Sequence, residues 1–284
     1  MDIESKKFLG QPKNFVSIFN ALLFDGQSVL KPEYLKDENS ELVMNVSSKH
    51  VDIIKRYEDG TYLDLFVIES QSYVDPSMVA RVMEYESVAR MRYIRQNFKK
   101  HVPMHTRLPM ILTVVLYVGE SKWNAAKRLS ELEIIHPGFE DMFNEFKLNL
   151  IELNTNHKYN TGEKATQDFF DLLRMIYRKQ ILKEDLDREF NRDALYFAYV
   201  VTKNKELLNI YQESEKGDVK VCRALDEMFE ESTNKGIQMG IKQGIELNQF
   251  EVYQTMLDKG FTVKAIASIF SVSEESIKKL LMRT

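Results

Sequence analysis

A single cysteine, Cys222, occurs among the 284 residues, which excludes an intramolecular disulfide or a thiolate zinc cage and suits a reducing compartment. Long apolar runs are missing as well. The longest, Met110 to Val118, falls far short of the ~20 residues that span a bilayer, and the opening MDIESKKFLGQPKNF shows no apolar segment behind a basic start, so no secretory signal is expected. Nor is there a basic surplus: 39 Lys and Arg against 43 Asp and Glu give a net charge of -4, which argues against a protein that coats nucleic acid nonspecifically. What is there is a 44% apolar content, enough for a full core, on a length that predicts one core domain plus a smaller appendage. A soluble, cytoplasmic protein with no membrane partner is expected.

The helical spacing of Phe15, Ile18, Phe19, Leu22 and Leu23 predicts a helix over Pro12–Phe24, ended by Gly26. The stretch around Leu30 and Pro32 reads as loop. Residues 48–57 and 61–69 read as two strands around the Glu58-Asp59-Gly60 turn, hence a hairpin. Asp75-Pro76 opens a helix that continues to about Lys100, and the Val- and Ile-rich run from Leu108 to Val118 reads as a strand buried on both faces. Strand, helix, strand in that order predicts a parallel pair, with Leu148–Leu153 as a further strand. From about residue 163 the pattern is helical. Gly236, Gly240 and Gly244 recur beside Ile237, Ile241 and Ile245, which predicts either a closely packed helix pair or a hinge, since each glycine costs a helix roughly 1 kcal/mol. The last thirty residues predict three short helices, one ending at Gly260 and the others capped by Thr262 and Ser273.

Strand alternation places Glu69 and Gln71 on one side and Ser70 on the other. With the turn near residue 59, the position opposite Asp52 falls around residues 66 and 67, from which Asp52 meets Glu69 diagonally. Two carboxylates and an amide oxygen would then converge at a sheet edge, the oxygen set that Mg²⁺ favours. A polar cluster directly after the apolar Phe66-Val67-Ile68, before the Asp75 cap, is where open α/β sheets carry their sites. A solvated surface is the plain alternative for carboxylates near strand ends.

The run Ile68-Glu69-Ser70-Gln71-Ser72-Tyr73-Val74-Asp75-Pro76-Ser77-Met78, followed by Arg81 and Tyr85, resembles the signature of the recombination-promoting nuclease (Rpn) family, also described as PD-(D/E)XK nuclease transposases. Phe19-Asn20-Ala21-Leu22-Leu23-Phe24, Lys31-Pro32-Glu33-Tyr34-Leu35, Asp52, Leu108-Pro109, Val115 to Gly119 and Trp123 agree in order, so the likeness covers roughly residues 10 to 155. It implies an α/β fold with a restriction-endonuclease-like core and mixed central sheet, which the helical pattern after about residue 163 extends with a helical C-terminal region. It also implies a DNA endonuclease that uses Mg²⁺ (or Mn²⁺), linked to recombination or transposition, with Asp52 and Glu69 as metal ligands. Gln71 replaces the lysine of the parent motif, and a glutamine is neither a cation nor a general base. Where relatives often carry an acidic residue in the first helix, Lys13 or Ser17 stands here, leaving Asn20 as the possible first-helix contributor.

Arg81, Arg92, Arg95 and Lys99 fall within about one-sixth of a helical turn of one another, a basic stripe fit to hold a DNA backbone beside Tyr85. Its plain alternative is a solvated face. Trp123 is expected to pack over the sheet, Cys222 to be structural, and His50 to be a strand-surface residue. The segment Thr262 to Leu281 resembles a helix-turn-helix with Ile266, Ala267, Phe270, Val272 and Ile277 in its core. Glu274 and Glu275 open its second helix and would repel phosphate, so a homo-oligomer joined through this C-terminal region is expected instead. The expected organisation is a core over 1–160, a helical extension over 161–230 and a glycine-spaced C-terminal module over 231–284. A catalytically weak or inactive nuclease-like module that binds DNA or protein is the alternative reading.

Overall fold

The computed structural model of the chain describes residues 3–38, 53–60, 63–181, 185–214 and 217–282. It opens with α1 (Ile3–Leu9) and α2 (Pro12–Phe24). Helix α2 has the expected bounds: proline occupies its first turn, and Asp25 in the left-handed conformation closes it. Five strands follow in the spatial order β1 (Leu35–Asp37), β2 (Ile53–Glu58), β3 (Leu63–Gln71), β4 (Ile111–Tyr117) and β5 (Asn149–Glu152). The pairs β1–β2 and β2–β3 are antiparallel, β3–β4 and β4–β5 parallel. The sheet is therefore mixed, with α3 (Met78–Asn97) as the crossover between β3 and β4.

Two expectations change here. Residues around Pro32 are not only loop, because Leu35–Asp37 pairs with Tyr57–Lys55 as an edge strand. The hairpin register also differs: Lys55 and Ile54 face Phe66 and Val67, the positions expected opposite Asp52. Asp52 and His50 lie outside the described residues.

The sheet is covered on both faces. Leu65 and Val67, with Ile54 and Ile111, pack on Tyr85 and Ala89 of α3. Phe66 turns the other way and meets Phe19 of α2, ring centroids 4.8 Å apart. Strand β4 lies between, with Val114, Val115 and Leu116 fully buried, as a strand sandwiched by helices requires. Trp123 packs edge-on against Tyr117 at 5.1 Å, and its indole N–H donates to the Ala125 carbonyl.

Helices α4 (Lys164–Arg178), α5 (Arg192–Thr202) and α6 (Lys205–Glu213) follow, with a small ribbon of β6 (Glu189–Phe190) and β7 (Val219–Lys220). Phe197 of α5 sits between Phe8 of α1 and Phe169 of α4, at 4.7 and 4.4 Å. Beside Phe169 in sequence, Asp168 is fully buried and accepts from Arg188 at 2.5 Å, Lys164 at 2.7 Å and the Asn191 amide at 2.6 Å. Three donors on one carboxylate offset its desolvation.

The chain divides into two compact units, Met1–Leu225 and Asp226–Thr284, and the division falls inside α7 (Cys222–Asp258). Gly236, Gly240 and Gly244 lie within this uninterrupted 37-residue helix, and a Cβ on any of them would meet nothing within 4 Å. Among the described residues nothing packs against these glycines, and the helix runs through them without a break. Beyond α7, α8 (Val263–Phe270) and α9 (Glu274–Leu281) are capped by Thr262 and Ser273 as expected. Ile266, Ala267 and Ile277 form a core with Tyr253. Phe270 and Val272 are exposed, unlike the expectation for them.

Replacing Asp168 by Asn keeps the shape and removes the charge facing Arg188 and Lys164. It should lower unfolding free energy by about 3 kcal/mol, the scale for breaking a buried ion pair. Urea titration followed by circular dichroism measures this, and a change under about 0.5 kcal/mol would show the network to be dispensable.

Candidate functional site

The carboxyl end of β3 carries Glu69 and Gln71 on the α3 side of the sheet, and both are buried, each 4% exposed. The backbone of Gln71 is fixed, its carbonyl accepting from the Val118 amide at 2.9 Å. Its side-chain Nε2 is buried and has no hydrogen-bond partner among the described residues. Such a group is rare in a folded interior, where nearly all polar atoms are paired.

Arg81 organises the rest. Its Nη2 donates to Glu69 Oε1 at 2.9 Å and its Nη1 to Asp75 Oδ2 at 2.5 Å. Nε and Nη2 both donate to the Tyr85 hydroxyl, at 3.0 and 2.8 Å. Asp75 Oδ1 accepts from the Ser77 amide at 2.9 Å and the Ser77 hydroxyl at 2.7 Å. Burial pushes the Asp75 carboxyl up, but the bonds from Ser77 and Arg81 outweigh it and hold the group below its ordinary value. Burial, supported by the Glu69 charge, raises the Tyr85 phenol against the opposing pull of Arg81, so it stays protonated at neutral pH. The Arg81 guanidinium is itself pushed up, since its acidic partners overcome desolvation.

In strand register Gln71 pairs with Tyr117 and Tyr117 with Glu152, so three side chains share one face of the carboxyl edge. Burial, then the Glu152 charge, raises the Tyr117 phenol. Glu152 is held by Lys127.

The sequence-predicted residues are thus partly assembled. Glu69, Gln71, Arg81 and Tyr85 lie at one place. Arg81 is not a free cation of a basic stripe; its side chain is 14% exposed and locked between two carboxylates. Arg92 is half-buried and Arg95 exposed on α3, while Lys99 lies past the end of that helix at Asn97, so the helical-turn argument does not extend to it. Asn20 is elsewhere: its carboxamide is paired with both backbone groups of Leu30, at 2.9 Å each, fixing the loop after α2. Ser17 is also engaged, its hydroxyl donating to the Asn14 carbonyl and sharing a hydrogen bond with the Thr166 hydroxyl. The sequence marks Asp75 only as a helix cap, because its six-residue separation from Arg81 matches no helical period. Among the described residues no group of three or more His, Cys, Asp or Glu is arranged to hold a metal ion.

Residues 6–207 match the family described as "Putative transposase, YhgA-like". The chain belongs to this family. The match runs from within α1 to the first turn of α6, so the YhgA-like region includes the sheet, the Glu69–Arg81 cluster and the helices α4 and α5 packed after it. It agrees with the family resemblance carried by the Glu69 to Tyr85 run. Comparison with curated proteins and with solved structures gives no match.

The Asp75 carboxyl, depressed in the folded chain, contributes stability that is complete above its unfolded value near ~4 and fades as pH falls through its lower folded value. The stability difference between wild type and Asp75→Asn should therefore be constant from pH 7 to about 5 and shrink below about 4. Denaturant unfolding across that range tests it, and a difference that grows on acidification would reverse the assignment.

Proposed function

We propose that this YhgA-like chain is a metal-dependent DNA endonuclease with a PD-(D/E)XK-type core, acting in transposition or recombination. The observation that carries the reading is the buried pair Glu69 and Gln71 on one face at the carboxyl end of β3, with the Gln71 Nε2 lacking a hydrogen-bond partner among the described residues. A buried amide N–H left this way fits a site that takes in a hydrogen-bond acceptor such as a phosphate oxygen or a water, and the adjoining Glu69 carboxylate gives that site the hard oxygen character of a Mg²⁺ centre. The mixed five-stranded sheet with α3 between β3 and β4 supports the core assignment.

On this reading Glu69, the Gln71 side-chain oxygen and Asp52 would hold Mg²⁺ or Mn²⁺, Asp52 on sequence grounds since it lies outside the described residues. Such an ion, when bound, polarises a phosphate and lowers the pKa of a water. The chain's own part is organisation. Arg81 orients the Glu69 carboxylate through Oε1, and Asp75 and Tyr85 fix Arg81 in turn. Gln71 accepts or donates a hydrogen bond without itself taking a proton. The cationic guanidinium beside the site also offsets phosphate charge, while Arg92 and Arg95 line the way out along α3 for a DNA backbone.

No helix among the described residues is long and apolar enough to cross a membrane. Self-association through the C-terminal unit is part of the proposal, supported by Ile237, Ile241 and Ile245, all more than half exposed along one side of α7. Ile241→Glu should then shift sedimentation of the full chain toward monomer; an unchanged profile overturns that part.

Supercoiled plasmid incubated with Mg²⁺ or Mn²⁺ tests the main reading. Nicking should stop with EDTA and drop at least about a hundredfold in Glu69→Gln and in Asp52→Ala. DNA retardation without any nicking by the wild type would instead favour a nuclease-like binding module.

A further inference from the structure

Charge is unevenly placed along this chain. Residues 87–119 hold no aspartate or glutamate, yet Arg90, Arg92, Arg95, Lys99, Lys100 and Arg107 all fall within them, in a protein where acids outnumber bases 43 to 39. Arg90 pairs with Glu86. Past the end of α3, Lys99, Lys100 and Arg107 are exposed, and none of the three side chains makes an ion pair or hydrogen bond among the described residues.

The segment that carries them has a defined shape. At its start the Phe98 amide donates to the Ile94 carbonyl at 2.8 Å and closes α3. At its end Met110 is tied to the start of β3, its amide donating to Asp64 Oδ1 at 3.1 Å and its carbonyl accepting from the Leu65 amide at 2.8 Å. Between these two anchors the Thr106 amide donates to the Pro103 carbonyl at 3.0 Å, a β-turn with Met104 and His105 at its corner. Met104 is 93% exposed, and Val102 and Leu108 on either side of the turn are exposed as well. A single exposed apolar residue is ordinary; here three of them alternate with three unpaired cations in one short segment. Basic residues at a helix C-terminus complement its dipole, which accounts for Arg95 in the last turn of α3. It does not account for Arg107, well beyond that helix.

We propose that residues 98–110 form a DNA-binding wedge, with Lys99, Lys100 and Arg107 on backbone phosphates and Met104 entering a base step from the minor groove. An apolar tip between cations suits that task, because the tip unstacks a step while the cations follow the kinked backbone. The choice of DNA as occupant rests on the functional reading given above. Strand β3 sets the spacing. Leu65, which binds Met110, lies six residues before Gln71, about 20 Å at 3.3 Å per residue, or roughly six base pairs at 3.4 Å each. On a duplex lying parallel to β3, the wedge acts about half a helical turn from the bond proposed to be cut.

The test uses the full chain and a duplex carrying a donor and an acceptor dye at its two ends, in EDTA. Anisotropy from about 50 to 200 mM salt gives affinity, and energy transfer gives bending. Lys99→Gln with Lys100→Gln and Arg107→Gln should weaken binding at least about tenfold and lower the slope of log K against log salt by about 3, one for each cation. Arg107→Lys, which keeps the charge, should retain the wild-type slope. Met104→Ala should keep the slope and lose the bend, expected between about 20° and 90°. If thermal melts show the triple variant unfolded, Lys100→Gln alone should lower the slope by about 1. An unchanged slope in the folded charge variant overturns the phosphate contacts, and a bend unaltered in Met104→Ala overturns the wedge. Loss in the triple variant of binding to phosphatidylglycerol vesicles, or of self-association in sedimentation, with DNA affinity unchanged, assigns the segment to a lipid surface or a second copy and overturns the proposal. Plasmid nicking in Mg²⁺ is read separately. Nicking by the wild type with an unchanged slope in the charge variant leaves the nuclease reading intact without the wedge, and wedge-dependent binding without nicking does the reverse. Absence of both binding and nicking in the wild type overturns both.

Discussion

One guanidinium holds the candidate site together. Arg81 stands between Glu69 at the end of β3 and Asp75 ahead of α3, and without a cation there two buried carboxylates would meet the desolvation penalty alone. The same side chain fixes the Tyr85 hydroxyl, whose ring lies in the cluster joining α3 to the sheet. Strand end, connecting turn and helix are thereby joined by charge-assisted bonds, which are shorter and stronger than neutral ones. The orientation of Glu69 depends on this one interaction, which adds to the apolar packing of Tyr85 and Ala89 that docks α3 on the sheet.

A second buried ion network plays the matching role for the helices that follow. Asp168 and Asp171 of α4 share Arg188, which also stacks over Phe190 at 4.6 Å. This places α4 so that Tyr177 reaches the end of β4. The family match running to residue 207 is understandable physically, because α4 and α5 belong to the packing that supports the carboxyl edge.

Much of this is legible from residue order. The apolar spacing of α2 defines its bounds, the bare Val/Ile run marks β4, and strand–helix–strand order implies the parallel pair. Register is less so: pairing of Ile53 with Ile68 depends on where the turn closes, and a turn signal is accurate only to a residue or two. Strand β1 escapes a sequence reading because three residues behind a proline carry no period; its existence is defined by pairing to β2. The Arg81 clamp escapes helical-wheel reasoning, which counts residues on one helix and is blind to partners on the preceding strand and turn. The glycine spacing in α7 does not interrupt the helix, since propensity is a weak prior against an otherwise continuous helical segment.

The carboxamide at position 71 acquires a plain electrostatic meaning beside that clamp. Glu69, Asp75 and Arg81 together leave one unit of negative charge at the end of β3. A lysine at 71 would cancel it and set a second cation against the guanidinium. With glutamine that negative charge remains, and Arg81 on α3 is the cation beside it.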